Sequence, residues 1–244
     1  MLLKNFFEFP IIEDARGENV CPKTENQLKL CEAIDNNDII FVSGPAGTGK
    51  TMLAIAKAIQ AHGEDAAIHK IVLSRPIVES GENLGFLPGT MEDKIHPYLI
   101  PLYDYLEMFL KKPGVGRKVR KSARKSGDRL PSSDELPGFI EIAPLAFLRG
   151  RTFNNSFIII DEAQNISKIQ MKLLLTRIGK NSKIVLTGDQ NQSDLSNKVQ
   201  NGFIDAIDRL IIKNSIPKIV EIKMDKSDIL RNGIIKEILE AYEE

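Results

Sequence analysis

The sequence has little cysteine, no net charge and no long apolar run. Its two cysteines, Cys21 and Cys31, supply neither a disulfide framework nor a paired C-x-x-C metal site. The 33 basic and 33 acidic side chains cancel, so no overall charge marks a nucleic-acid-binding or membrane-binding protein. No run of about 18 apolar residues occurs, and the apolar start lacks a small-residue cleavage site. We therefore expect a cytoplasmic protein without a signal peptide or a membrane span.

The length of 244 residues allows one α/β domain but leaves no room for a second domain of similar size. We expect an N-terminal extension at 1–22 and the domain at 23–244. Strand and helix patterns alternate, which predicts a mostly parallel sheet with helices on both faces. The predicted strands are 39–43, 71–74, 157–160, 184–187 and 218–222. The predicted helices are one from Thr24, 50–61, a short one from Thr90 that ends at Pro97, 98–110, 168–178, 203–212 and 229–242.

Residues 44–51 read GPAGTGKT and match the phosphate-binding pattern G-x-x-x-x-G-K-[ST] at every defined position. An apolar run precedes this loop and a helix-forming run follows it, as the pattern requires. Glycines let consecutive backbone NH groups face the phosphates, and the helix presents its positive N-terminal end. Lys50 reaches the β- and γ-phosphates, and Thr51 binds Mg²⁺. The predicted nucleotide-binding residues are Gly44, Pro45, Ala46, Gly47, Thr48, Gly49, Lys50, Thr51 and Met52.

Polar residues follow the predicted strands at one edge of the sheet. In a parallel sheet, ligands bind beyond the carboxyl ends of the strands, so these turns are expected to converge. The turns follow Ser43, Ser74, Ile160 and Thr187. After the last of them, Gln192 can present an amide to the γ-phosphate or to an attacking water, although this segment also has ordinary turn composition.

The strand at 157–160 ends in two acids, Asp161 and Glu162. A buried strand that ends in a carboxylate is how proteins with this loop hold Mg²⁺, so Asp161 is the predicted metal ligand. Glu162 is placed to orient or deprotonate an attacking water. The alternative is that both acids only begin the next helix with favourable charge.

Gln27 has two possible roles. With Thr24 it fits a capping box at the start of a helix, which is the role favoured by the local pattern. Its amide could instead donate to and accept from the edge of an adenine base.

Several arginines could neutralise charge that develops on a triphosphate during hydrolysis, although each taken alone has the pattern of a surface or ion-pair residue. The candidates are Arg75, Arg149, Arg151, Arg177 and Arg231, of which Arg149, Arg151 and Arg231 are the main ones. Nine residues of 111–129 are basic and one is acidic, with no apolar period, which predicts a solvated basic loop at 111–137.

Four groups of residues together resemble the PhoH family of ATPases. They are Ser74-Arg75-Pro76 with Glu79, the run GENLGFLPG at 81–89, the run APLAFLRGRT at 143–152, and Asp161-Glu162-Ala163-Gln164-Asn165. The resemblance covers residues 20–242, although the basic loop is longer than the family pattern suggests. It implies a core similar to the nucleotide-binding half of superfamily 1 helicases. In that core Gln27 matches the adenine-reading position and Gln192 the phosphate-sensing position.

We therefore expect a single RecA-like P-loop NTPase domain that binds ATP and Mg²⁺ and hydrolyses ATP by in-line attack of water. The resemblance implies coupling to a single-stranded nucleic acid, RNA more than DNA. Because one such core offers no second surface to close over ATP, a homo-oligomeric ring is expected, in which an arginine reaches the neighbour's triphosphate. Two other functions stay open: a small-molecule or nucleotide kinase with the basic loop as a lid, and an ATP-driven protein-interaction switch.

Overall fold

The computed structural model of the chain describes residues 10–77, 91–110, 136–190, 192–195 and 200–229, with side chains from residue 95 onward in the helix that starts at 91. Three predictions fall outside these residues: residues 111–135 of the basic loop, Arg231, and residues 230–242 of the last predicted helix.

The described residues form strands and helices that alternate along the chain. The strands are β1 (Ile12–Glu13), β2 (Asn19–Val20), β3 (Ile39–Ser43), β4 (Lys70–Arg75), β5 (Ile140–Pro144), β6 (Ser156–Ile160), β7 (Lys183–Gly188) and β8 (Ile219–Lys223). The α-helices are α1 (Glu25–Asn36), α2 (Lys50–Glu64), α3 (Met91–Phe109), α4 (Lys168–Leu175) and α5 (Gly202–Ile207). Short 3₁₀ turns lie at Leu145–Leu148, Ala163–Asn165 and Lys226–Asp228, and a π-helical turn at Asp208–Lys213 continues α5. Among the described helices, none has the length and apolar character needed to cross a bilayer.

Six strands form one parallel sheet in the order β5-β4-β6-β7-β3-β8. The register pairs Ser43 with Gly188 and Ser74 with Ile160, so the carboxyl ends of the four central strands lie along one edge. The predicted parallel sheet is therefore confirmed, and each of the five predicted strands matches an observed one to within one residue at either end.

Helices cover both faces of this sheet because its central strands are apolar on both sides. In β3, Ile40 and Val42 pack with residues of α1, α2 and α3 on one face. Phe41, between them, packs on the other face with residues of α4 and α5. There its ring lies 5.5 Å from that of Phe203 in an edge-to-face arrangement. This alternation is the expected geometry of a strand buried on both sides.

The edge strand β5 was not predicted. Its sequence, IEIAP, contains a charged residue and a proline and lacks the apolar run of the central strands. An edge strand tolerates both, because it pairs on one side only. Glu141 in this strand is held by ion pairs with Lys70 and Arg151.

The prediction of two helices separated at Pro97 is wrong, because α3 continues through both Pro97 and Pro101. Each internal proline costs a helix about 3 kcal/mol. Leu99, Leu102 and Leu106 lie on the buried side of α3 and are 1%, 0% and 0% exposed. Burying a large apolar side chain contributes about 1.5–3 kcal/mol, and three further apolar or aromatic side chains of α3 are also buried, so the packing of α3 on the sheet outweighs the two breaks.

Residues 10–22, predicted as part of an extension, pack against the domain. β1 and β2 pair as an antiparallel hairpin, and Ile11 beside them is buried in the core. The backbone N–H of Ala15 donates to the carbonyl oxygen of Met108 in α3 at 2.7 Å.

Candidate functional site

The carboxyl ends of β3, β6 and β7 meet at a cleft of about 170 Å³. Its lining residues are Ala46, Gly47, Lys50, Thr51, Tyr105, Asp161, Glu162, Gly188, Asp189 and Gln192. The predicted convergence of the strand ends is therefore observed, and it brings the phosphate-binding loop, both acids and Gln192 together. Tyr105 of α3 also borders this cleft.

The phosphate-binding loop, residues 44–51, depends on glycine at the positions where its backbone turns. Gly47 and Gly49 adopt φ angles of 87° and 86°, in the left-handed region that favours glycine. At Gly44 a Cβ atom would lie 2.5 Å from the carbonyl oxygen of Met224, so no larger residue fits there without a shift. Helix α2 follows with no side-chain cap, which leaves its first backbone N–H groups available to an anion.

Lys50 begins α2 and lies over the loop. Its ammonium group donates to the carbonyl oxygens of Gly44 and Pro45 at 2.6 and 2.7 Å. Burial lowers the pKa of Lys50, while the nearby carboxylates of Asp189 and Asp161 act in the opposite direction. This cation therefore lies between the loop and the acids, where the phosphates of a nucleotide would carry their charge.

Asp161 lies at the end of β6 and is only 7% exposed. Its Oδ1 atom accepts hydrogen bonds from the hydroxyls of Thr51 at 2.7 Å and Thr187 at 2.9 Å. Mg²⁺ prefers oxygen ligands and is commonly held by one or two protein groups together with substrate phosphates and water. Among the described residues, no group of three His, Cys, Asp or Glu side chains is placed to hold a metal ion. The Thr51–Asp161 pair fits a cation that is shared with a triphosphate.

Glu162 is held from two sides at the mouth of the cleft. It lies 3.3 Å from the guanidinium of Arg75, and its Oε2 atom accepts a hydrogen bond from Gln164 at 2.6 Å. Gln164, which is 2% exposed, also accepts a hydrogen bond from the backbone N–H of Asp189 at 3.1 Å. The backbone φ of Glu162 is 52°, in the left-handed region. The side chain of Glu162 thus has fixed neighbours in the cleft.

Gln192 and both acids lie in the cleft as predicted, but two supporting residues had not been predicted. Gln164 connects the turn after β6 to the turn after β7, and Thr187 shares the Oδ1 atom of Asp161. Gln164 had a sequence signal, because it stands two residues after Glu162 in a turn that ends a buried strand. Thr187 had none beyond its place at the end of a strand.

Gln27 does not form the predicted capping box, although Thr24 does cap α1. The Thr24 hydroxyl accepts from the backbone N–H of Gln27 at 3.2 Å. The side-chain oxygen of Gln27, however, accepts from the backbone N–H of Lys23 at 2.7 Å, and its Nε2 atom donates to the carbonyl oxygen of Thr48 at 3.0 Å. Gln27 is 2% exposed and contacts the phosphate-binding loop directly, beside the cleft.

Of the three main arginine candidates, the two that the structure describes lie outside the cleft of their own chain. Arg151 pairs with Glu141 through both of its terminal nitrogens, and its guanidinium lies 4.9 Å from the ring centre of Phe153. Arg149 is exposed, and no acidic partner is found for it among the described residues. It borders a groove of about 450 Å³ between the turn after β5 and α4, which Arg177 also lines. Arg149 is therefore the described candidate that is available to a second chain.

The family model described as PhoH-like protein matches residues 19–243. The chain is 42% identical over 240 residues to the PhoH-like protein of Bacillus subtilis (strain 168), which covers 98% of this chain and 69% of that protein. It is 44% identical over 227 residues to the PhoH-like protein of Mycobacterium tuberculosis (strain ATCC 25618 / H37Rv), covering 93% of this chain and 59% of that protein. The chain thus spans only part of the length of these relatives.

Among solved structures, the fold resembles the large terminase from a thermophilic bacteriophage in complex with ADP. The TM-score is 0.50 at 11% sequence identity, and the match covers 88% of this chain and 49% of that chain. At this identity the likeness concerns the fold alone, which is that of a P-loop NTPase core.

Proposed function

The chain belongs to the PhoH-like family, and we propose that it is a Mg²⁺-dependent ATPase. The proposal rests on the contact of 2.7 Å between the Thr51 hydroxyl and Asp161 Oδ1, beside the phosphate-binding loop and Glu162. This contact brings together the expected cation ligands from the first turn of α2 and from the end of β6. The likeness of the fold to a terminase in complex with ADP supports nucleotide binding in such a cleft. The cysteines Cys21 and Cys31 are both free, which supports a cytoplasmic setting.

Each cleft residue has a role that its position supports. Lys50 and the N-terminal N–H groups of α2 bind the phosphates, and Thr51 and Asp161 hold the cation, which supplies positive charge to the phosphates when bound. Glu162 orients an attacking water and accepts its proton. Gln192 contacts the γ-phosphate or that water through its amide.

We further propose that ATP hydrolysis is coupled to binding of a single-stranded nucleic acid, with RNA preferred. Phe147 follows β5 and is 57% exposed, and the exposed Arg149 lies two residues further on. Proteins that bind single-stranded nucleic acid combine aromatic side chains, on which bases stack, with cations that contact the phosphates. Because both lie at the strand-end edge that also carries the cleft, a bound strand would lie near the nucleotide.

The test is the rate of phosphate release from ATP with Mg²⁺, with EDTA, and with single-stranded RNA or DNA. We expect release that requires Mg²⁺ and is faster with RNA. Phe147→Ala should weaken affinity for the strand by about tenfold or more, as for loss of one stacked base. Ile212→Ala is the matched control, because Ile212 is 69% exposed and lies in the π-helical turn after α5. Mg²⁺-dependent release that neither RNA nor DNA changes would support the ATP-driven protein-interaction switch, and phosphate transfer to an acceptor would support the kinase.

We propose a homo-oligomeric ring as the working assembly, with Arg149, Arg151 or Arg231 completing a neighbour's site. The exposure of Arg149 supports it as the first candidate, whereas Arg151 is already engaged by Glu141. Light scattering with ATP and Mg²⁺ gives the mass. Subunits that carry Lys50→Ala, mixed with Arg149→Ala subunits, should regain activity, because an intact cleft then meets an intact arginine. A monomeric mass, or no regained activity with any of the three arginine variants, would refute the ring.

A further inference from the structure

We infer that Asp228 is a positioning residue for the nucleotide base, acting through Thr24 and Gln27. This inference rests on the proposed ATP binding, and within it on the reading of adenine by Gln27. Asp228 is distant in sequence from the other two residues and lies at the end of the turn after β8.

Asp228 is a carboxylate with 1% exposure that accepts hydrogen bonds from two parts of the chain. Its Oδ1 atom accepts from the hydroxyl of Thr24, just before α1. Its Oδ2 atom accepts from the side chain of Asn26 at 2.9 Å and from the backbone N–H of Asp225 at 2.9 Å. The carboxylate therefore ties the first turn of α1 to the turn that follows β8.

The Thr24 hydroxyl transmits this contact to Gln27. A hydroxyl has one hydrogen to donate and two lone pairs to accept with. Because its hydrogen is directed to Asp228, the lone pairs of Thr24 are directed elsewhere, and one accepts from the backbone N–H of Gln27 at 3.2 Å. Asp228 thus fixes the orientation of the Thr24 hydroxyl. This hydroxyl caps α1 by accepting from the backbone N–H of Gln27, the residue predicted to read the base.

Gln27 in turn contacts the phosphate-binding loop. Its Nε2 atom donates to the carbonyl oxygen of Thr48 at 3.0 Å, and a Cβ atom added at Gly49 would lie only 3.3 Å from that nitrogen. Its side-chain oxygen accepts from the N–H of Lys23 at 2.7 Å. The amide plane is therefore fixed at both ends, and a shift of the first turn of α1 would move it relative to the loop.

The turn after β8 is itself anchored to the base of the same loop. The backbone N–H of Met224 donates to the carbonyl oxygen of Ser43 at 2.7 Å, and the Met224 backbone closely approaches Gly44. One end of the turn at 224–228 thus contacts the start of the phosphate-binding loop, and the other end holds the start of α1. This arrangement sets the distance between Gln27 and the loop.

The experiment compares kcat/KM for ATP and GTP in the wild type, Asp228→Ala, Gln27→Ala and the double variant. We expect the preference for ATP to narrow by about tenfold in each single variant, because a buried hydrogen bond to the base is lost or misplaced. In the double variant we expect no narrowing beyond that of Gln27→Ala, since the two residues act as one unit. A preference that Gln27→Ala narrows but Asp228→Ala leaves unchanged would overturn the inference while leaving the proposed function intact.

Two sets of controls separate positioning from general stability. Thr24→Ser keeps the hydroxyl and should retain the wild-type preference, whereas Thr24→Val removes it and should behave like Asp228→Ala. Asp14→Ala is the matched acid control. Asp14 is 5% exposed and accepts from the backbone N–H groups of Arg16 and Glu18, but it lies in the hairpin of β1 and β2. Asp14→Ala should lower the Tm without changing the preference; an equal narrowing in Asp14→Ala would mean that any loss of stability produces the effect.

A wild type without a preference for ATP would overturn the inference together with the reading of adenine by Gln27, while Mg²⁺-dependent ATP hydrolysis would leave the proposed function intact. Where the preference is present, hydrogen exchange of the Gln27 side-chain amide by NMR is a second readout, which reports positioning directly. We expect exchange in Asp228→Ala to be at least several-fold faster than in Asp14→Ala. Equal exchange in the two variants would overturn the positioning role.

Discussion

Replacing Gln164 by alanine is expected to slow ATP hydrolysis while leaving ATP binding nearly unchanged. Gln164 donates to the carboxylate of Glu162 at 2.6 Å and accepts from the backbone N–H of Asp189 at 3.1 Å. It contacts neither Lys50 nor Thr51 by hydrogen bonding, so the phosphate and cation ligands are retained. Glu162 would keep its contact with Arg75 but lose the partner that fixes its orientation.

The expected losses of stability and of kcat in Gln164→Ala can both be estimated from these contacts. A hydrogen bond to a charged group contributes about 1.5–3 kcal/mol and a neutral one about 0.5–1.5 kcal/mol. The side chain of Glu162 is 36% exposed, so water replaces part of the first bond, whereas Asp189 is 8% exposed and its N–H would be left buried. We expect a loss of about 2–3 kcal/mol in the free energy of unfolding, or about 4–12 °C in Tm for a chain of this size. A misplaced water-activating group should lower kcat by about 10- to 100-fold.

The assay is steady-state phosphate release together with titration of a fluorescent ATP analogue, with Tm measured on the same samples. Gln170→Ala is the matched control, because Gln170 is exposed and its side chain caps α4 instead of contacting the cleft. It should lower Tm with little effect on kcat. A Gln164→Ala protein that turns over ATP at the wild-type rate would refute the orienting role of Gln164. Equal losses of kcat in both variants would mean that the lower kcat results from the loss of stability.

Three further predictions follow from the cleft and the edge strand. Lys50→Ala should weaken ATP binding, whereas Glu162→Gln should retain binding and lose turnover; full turnover by Glu162→Gln in phosphate-release assays would remove its assigned role. Gly44→Ala should lower Tm by several degrees in a thermal melt, because the added Cβ would lie 2.5 Å from the carbonyl oxygen of Met224. An unchanged Tm would mean that the backbone at Met224 shifts away without cost, which contradicts the prediction. The hydrogen bond from Arg151 lowers the pKa of Glu141 from 4.5 to about 2, so this acid stabilises the fold above pH 4.5 and loses that effect as the pH falls toward 2. Glu141→Gln should therefore have a lower Tm than the wild type at neutral pH, and the difference should shrink over that range; a difference independent of pH would contradict this.

The sequence predicted the sheet and the cleft wherever a local pattern carried the information. The apolar runs of β3, β6 and β7 are long enough to be identified without tertiary context, and the phosphate-binding loop fixes where the first strand ends. Strand ends of a parallel sheet then converge by topology, which is why Lys50 and Asp161 could be placed together before their contacts were known.

The misses have a different physical origin, because they depend on contacts between distant segments. The continuity of α3 through Pro97 is decided by leucines packed on the sheet, and a local pattern cannot weigh that burial against the proline. A capping pattern covers only neighbouring residues, so it could not predict the distant hydrogen-bond partners of Gln27 and of its cap. Its amide contacts Thr48, 21 residues away, and its cap is held by Asp228, 204 residues away from Thr24.

The charges of the cleft give a physical reason why nucleotide and cation should bind as one unit. Asp161, Glu162 and Asp189 bring three carboxylates to the cleft, where Arg75 pairs with Glu162 and the charge of Lys50 interacts with all three. Arg75 is already paired with Glu162 at 3.3 Å, so Lys50 and the N-terminus of α2 are the groups left, among the described residues of the cleft, to offset the charge of a triphosphate. In a partly buried site, repulsion between the phosphates and Asp161 would be only weakly screened. The Thr51–Asp161 pair resolves this conflict if its oxygens share a divalent cation with the phosphates, because the carboxylate then attracts the nucleotide instead of repelling it.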